Sequence, residues 1–100
     1  MSDDDHRKEG EIAVLQRFPA DRKAIEELTA HSEDFRDMCE ELADSENALR
    51  AAEMLPPTIR AERTAEWVAS IERLLAEISR ALRNANVVRI DAAGHGRRRL

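Results

Sequence analysis

The sequence predicts an all-α domain: a short leading helix plus an antiparallel helical hairpin of two long helices, with disordered termini. Three observations predict it. Ala, Glu, Leu and Arg dominate while aromatics make up 3% and Tyr is absent, which leaves too few β-formers for a sandwich, a barrel or a doubly wound sheet. Apolar residues recur at alternating spacings of three and four over two long stretches, the period of a helix with one buried face. Between those stretches stands Pro56-Pro57, which ends the first helix and makes the second fold back across a short connection. A chain of 100 residues has room for one core.

Each element follows in order. Residues 1–11 are polar and charged with nothing to bury, and so read as a disordered tail. Ile12, Leu15 and Phe18 then recur at helical spacing, giving a turn or two of helix that Pro19 interrupts. Proline suits a first helical position, and Ala24, Ile25 and Leu28 carry a helix over about 19–30. Ser32 is an N-cap, with Glu33 and Asp34 in the first turn where the macrodipole favours negative charge. Phe35, Met38, Leu42, Ser45, Leu49 and Ala52 then mark one amphipathic helix over about 33–54, with Cys39 beside the stripe. Beyond the two prolines Thr58 caps the last helix. Its seam is Trp67, Ile71, Leu74, Ile78 and Ala81, widened by Val68, Leu75 and Leu82. Asn84 and Asn86 are the expected C-caps. The helical hairpin domain thus spans 12–84, and residues 85–100, with Val87, Val88 and Ile90 followed by arginines, read as a flexible basic tail. Phe35, Met38, Leu42, Trp67, Ile71, Leu74 and Ile78 are the expected core or interface. Their coiled-coil-like spacing lasts about three heptads per helix. A hairpin of two layers is thin, so apolar surface remains for a second copy or another protein.

The run from Phe18 to Leu49 carries a resemblance. Phe18-Pro19, then Ile25, Leu28, Phe35, Met38 and Leu49, resembles the YdcH-like family of small bacterial proteins. That family opens with a Phe-Pro pair and a short helix, then a Phe that starts a longer helix folding back as a hairpin. This chain has Leu42 where a His or Tyr commonly stands and Ser45 where an apolar residue does. The resemblance implies a helical hairpin and carries over no catalytic residue.

Charge is unevenly laid out within the net −5. Residues 26–46 hold nine acids against Arg36 alone, a net of −8, while residues 84–100 are +3. Such a body repels phosphates. Glu40, Glu41 and Asp44 read either as a docking face that steers a basic partner or as a solvated face that keeps a small protein soluble. Arg89, Arg97, Arg98 and Arg99 are the candidate basic tail, through which RNA binding remains an alternative. Trp67 reads equally as core or as an interface anchor.

Catalytic chemistry finds no footing. His6, His31 and His95 are isolated, and no His or Cys pair has zinc spacing. Glu27 and His31 are four apart where di-iron bundles use three, so neither a metal nor a cofactor is expected. Cys39 sits beside Glu40 and Glu41, which raise a thiol pKa rather than activate it. Phosphate loops, dinucleotide fingerprints and nucleophile elbows are missing, and Gly10, Gly94 and Gly96 fall in the expected tails. Among many acids, nothing marks two as a buried catalytic pair. No apolar run approaches 18 residues, no secretory apolar segment opens the chain, and the lone cysteine fits a reducing cytoplasm. The expectation is a cytoplasmic, non-enzymatic protein–protein interaction module, able to form a homo-dimer. The alternative is a nucleic-acid- or ribosome-associated accessory protein that uses the basic tail.

Overall fold

The computed structural model describes the backbone of residues 3–98 and the side chains of residues 5–86. Among the described residues the regular structure is all helical: α1 (Asp3–Arg17), a 3-10 turn (Pro19–Asp21), α2 (Arg22–His31), α3 (Glu33–Ala52) and α4 (Pro57–Arg98).

Local chemistry sets the breaks. Phe18 precedes proline and leaves the helical region at φ −131°, ψ 64°. Its N–H still donates to Val14 O at 2.9 Å, and its carbonyl accepts from Asp21 N at 3.1 Å. Ser32 is extended at φ −124°, ψ 113° and serves two helices at once. Its N–H donates to Leu28 O at 2.8 Å, closing α2, and its Oγ accepts from Phe35 N at 3.1 Å, opening α3. Arg36 donates from Nη1 to Thr29 O at 2.7 Å, satisfying another carbonyl left open at the end of α2. The one cation of the acidic stretch is thereby engaged in capping.

The α3–α4 connection is equally tight. Glu53, Met54 and Leu55 donate to Arg50, Ala51 and Ala52 carbonyls at 3.2, 3.0 and 3.1 Å, a 3-10 closure of the helix. Arg60 returns from α4 to Leu55 O with Nε at 3.1 Å and Nη2 at 2.9 Å. The carbonyl of Pro56 accepts from Ile59 N and Arg60 N at 3.1 and 3.0 Å. Pro56 therefore precedes the helix and Pro57 takes its first position, where a missing N–H costs nothing. Thr58 lies one residue inside and is not the cap.

Both ends of the chain differ from the sequence expectation. A helix begins at Asp3, within the expected tail of residues 1–11. The reason is Gly10, whose backbone seats directly on α3: a Cβ there would lie 2.8 Å from both Cys39 C and Glu40 N. At the other end α4 continues past Asn84 to Arg98. Asparagine is a poor helix former rather than a stop, and no proline follows it. The basic-tail reading rests on Arg89, Arg97, Arg98 and Arg99, whose side chains lie outside the described residues.

α3 is the organising helix, packed along both α1 and α4, while α2 touches all three. α1 runs beside α3 in the same direction, with His6 near Glu40 and Asp44 and Arg17 near Glu46. The core joins Val14 of α1, Ile25 of α2, Phe35, Cys39 and Leu42 of α3, and Ile71, Leu74, Ile78 and Leu82 of α4. Leu15, Phe18, Leu28, Met38, Leu49 and Leu75 pack against it, partly buried. At 42 residues α4 is about 63 Å long by helical rise and sets the 66 Å long axis. α3 is roughly 30 Å.

Candidate functional site

Of the seven expected core or interface side chains, Phe35, Leu42, Ile71, Leu74 and Ile78 are buried in one cluster. Met38 is half-buried against it. Trp67 is half-buried, at the boundary of a different region. From Glu53 to Ser70 no residue is buried, and three large apolar side chains stand out: Met54 at 86% exposure, Ile59 at 41% and Val68 at 37%. Ile12, on α1, is also exposed. Isolated apolar side chains are ordinary on a surface. A run of eighteen positions without one buried residue, fourteen of them on α4, is less so.

The second region is the α1–α3 seam. His6 and Gly10 are four apart and share a helix face, as do Glu40 and Asp44 on α3. His6 donates from Nε2 to Asp44 Oδ1 at 3.0 Å, and its Nδ1 lies 3.4 Å from Glu40 Oε1. The hydrogen bond to Asp44, reinforced by the charges of Asp44, Glu40 and Glu9, lifts the His6 pKa above its ordinary 6.5 against a smaller opposing effect of desolvation. Farther along, Arg17 Nη2 meets Glu46 Oε2 at 2.8 Å. Beneath the seam lies Cys39, its thiol pushed up to about 12 by burial, with Glu11 and Glu40 adding to the rise. Such a thiol stays protonated at neutral pH and is a poor nucleophile.

This arrangement divides the expected acidic face. Glu40 and Asp44 are engaged with His6, whereas Glu41 stays exposed with Glu33, Asp34 and Asp37. Sequence reasoning missed His6, Gly10 and Arg36. The one available signal was the four-residue spacing of His6 and Gly10 ahead of Ala13 and Val14, which places them on a face with small residues. Clefts flank α1, one bounded by Ile12, Ala13, Ala43 and Asn47, another by Arg7, Glu11, Thr29, Arg36 and Cys39. Among the described residues no three His, Cys, Asp or Glu side chains are grouped to hold a metal ion. No helix there is long and apolar enough to cross a membrane. Comparison with protein-family models, with curated proteins and with solved structures finds no match for this chain.

Proposed function

We propose that the protein is a non-enzymatic helical interaction module whose frame is an antiparallel hairpin of α3 and α4, with α1 laid along α3. The four-residue connection Glu53–Pro56 and the extensive packing of α3 on α4 support the hairpin. The observation that carries the binding reading is the Glu53–Ser70 stretch, where Met54, Ile59 and Val68 remain exposed on and beside a regular helix. Trp67, half-buried at its inner boundary, supplies the large aromatic that interfaces favour as an anchor. A partner would cover this stretch, either a second copy or another protein. The exposed acids Glu33, Asp34, Asp37 and Glu41 would speed the approach of a basic one. Kinship with YdcH-like proteins belongs to the same proposal and rests on Phe18-Pro19 and on Phe35. A cytosolic setting suits the unpaired, buried Cys39.

Sedimentation and light scattering across concentration test the self-association arm. Capture of partners by the full chain, repeated with Trp67→Ala and Ile59→Glu, tests the other. Unchanged capture in both variants, with a monomer at hundreds of micromolar, defeats the proposal.

A second reading is favoured by one observation. α4 runs on as a helix from Leu82 to Arg98, and the segment 84–100 carries a net +3. Binding of RNA there would weaken steeply with salt and vanish on removal of residues 87–100. Salt-insensitive binding, or binding that survives the deletion, eliminates it.

A further inference from the structure

We infer that His6 is a proton-operated latch: protonated, it fastens the N-terminal half of α1 to α3, and neutral, it lets that half swing away to uncover Cys39.

The latch is a matter of proton count. His6 stands between two carboxylates one turn apart on α3, with Asp44 Oδ1 at 3.0 Å from one ring nitrogen and Glu40 Oε1 at 3.4 Å from the other. Both oxygens are acceptors. An imidazolium donates to Asp44 and sets its positive charge against Glu40, whereas a neutral imidazole has one N–H and turns a lone pair toward the second carboxylate. Loss of a single proton converts a two-point bridge into one contact and one repulsion.

The surrounding charges act in the same sense. Glu9 faces the ring from α1, and Glu40 and Asp44 face it from α3. The adjoining cleft is lined from those two helices alone, by Arg7 on α1 and by Glu33, Arg36 and Asp37 on α3. Arg36 is already bonded to Thr29 O. Acids thus outnumber the bases free to oppose protonation. With a folded pKa above 6.5, the bridge is complete below 6.5 and is lost as pH rises through the raised value.

What makes this bridge decisive is how little else holds the front of α1. From Asp5 to Glu11 Gly10 is the sole buried residue, and it contributes close approach rather than apolar area. The rear half has firmer anchors: Ala13 and Val14 are buried, Arg17 pairs with Glu46, and Phe18 packs against the core. The helix can therefore open from its N-terminus while its C-terminal end stays docked. Cys39, whose backbone carries the Gly10 contact, is the built-in reporter of that opening.

The test uses the full chain and a disulfide reagent that labels Cys39, from pH 5.5 to 8.5, in wild type and His6→Gln. The ratio of variant to wild-type rates at each pH cancels the intrinsic chemistry of the thiol. For an exposed ion pair the ratio is expected to be about two- to fivefold at the acid end, falling to one at the alkaline end. An imidazole NMR titration of the wild type should place His6 above 6.5. A ratio that does not change with pH overturns the latch, and so does a His6 that titrates at or below its ordinary value.

Discussion

Gly10→Ala sets helix propensity against packing at one position. In the middle of an isolated helix alanine is favoured over glycine by about 1 kcal/mol, so on α1 alone the substitution stabilises. Against α3 the added methyl meets the Cys39–Glu40 peptide head on, with Cys39 C and Glu40 N at 2.8 Å and Cys39 O at 3.0 Å. Carbon atoms in good contact lie about 3.5–4.0 Å apart, so α1 must back away by roughly 0.7 Å or more. None of those atoms can rotate aside as a side-chain tip would. Overpacking of this kind costs about 1–3 kcal/mol, and subtracting the propensity gain leaves a net loss of about 1 kcal/mol. For a domain of this size that lowers Tm by about 4–8 °C. Thermal unfolding followed by circular dichroism measures it. Lys8→Gly, at an exposed position of the same helix, calibrates what propensity alone contributes. Labelling of Cys39 should accelerate in Gly10→Ala, since the same contact covers it. A Tm that rises in Gly10→Ala, by the amount Lys8→Gly lowers it, would show that α1 does not rest on α3 through this residue.

Three further substitutions probe the core, a helix cap and the buried thiol. Leu42→Ala empties a fully buried site in the central helix and should cost about 2–5 kcal/mol in urea unfolding; a loss below 1 kcal/mol contradicts its placement in the core. Ser32→Ala removes the oxygen that accepts from Phe35 N and should cost about 1 kcal/mol, read as a lower urea midpoint with an unchanged slope. Cys39 has a thiol pKa raised from 9.0 to about 12 in the folded chain, so the unfolded state loses its proton first and stability falls as pH climbs from 9 toward 12. Urea midpoints at pH 8 and 10.5 should converge in Cys39→Ala relative to wild type, and an identical decline in both chains refutes that origin.

Much of the helical order could be read from residues whose effect is local. Ser32 caps α3 because serine supplies an acceptor wherever a helix starts, and the breaks at Pro19 and Pro56-Pro57 follow from a missing N–H. The buried positions Phe35, Leu42, Ile71, Leu74 and Ile78 follow from period alone. Period says which face a residue occupies but not what lies above it, and Trp67, in perfect phase with Ile71 and Leu74, is only half-covered. The candidate site was less legible because it is made by absence and by distance in sequence. Gly10 reads as one more residue of a polar tail until α3 is brought against it, and then its lack of a side chain is what lets the helix dock. His6 is an isolated histidine until Glu40 and Asp44, more than thirty positions away, face it. Arg36 counts as a minor offset in a charge sum, while in the fold it closes the end of α2.

The length of α4 has a mechanical consequence. Its buried fixings, Ile71, Leu74, Ile78 and Leu82, lie within about 16 Å of a rod close to four times that long. A slight tilt about those fixings sweeps each end through a wide arc, as with an oar in its rowlock. Force applied near Arg98 or near Pro57 is therefore delivered, multiplied by leverage, to the few side chains that wedge against Phe35 and Leu42.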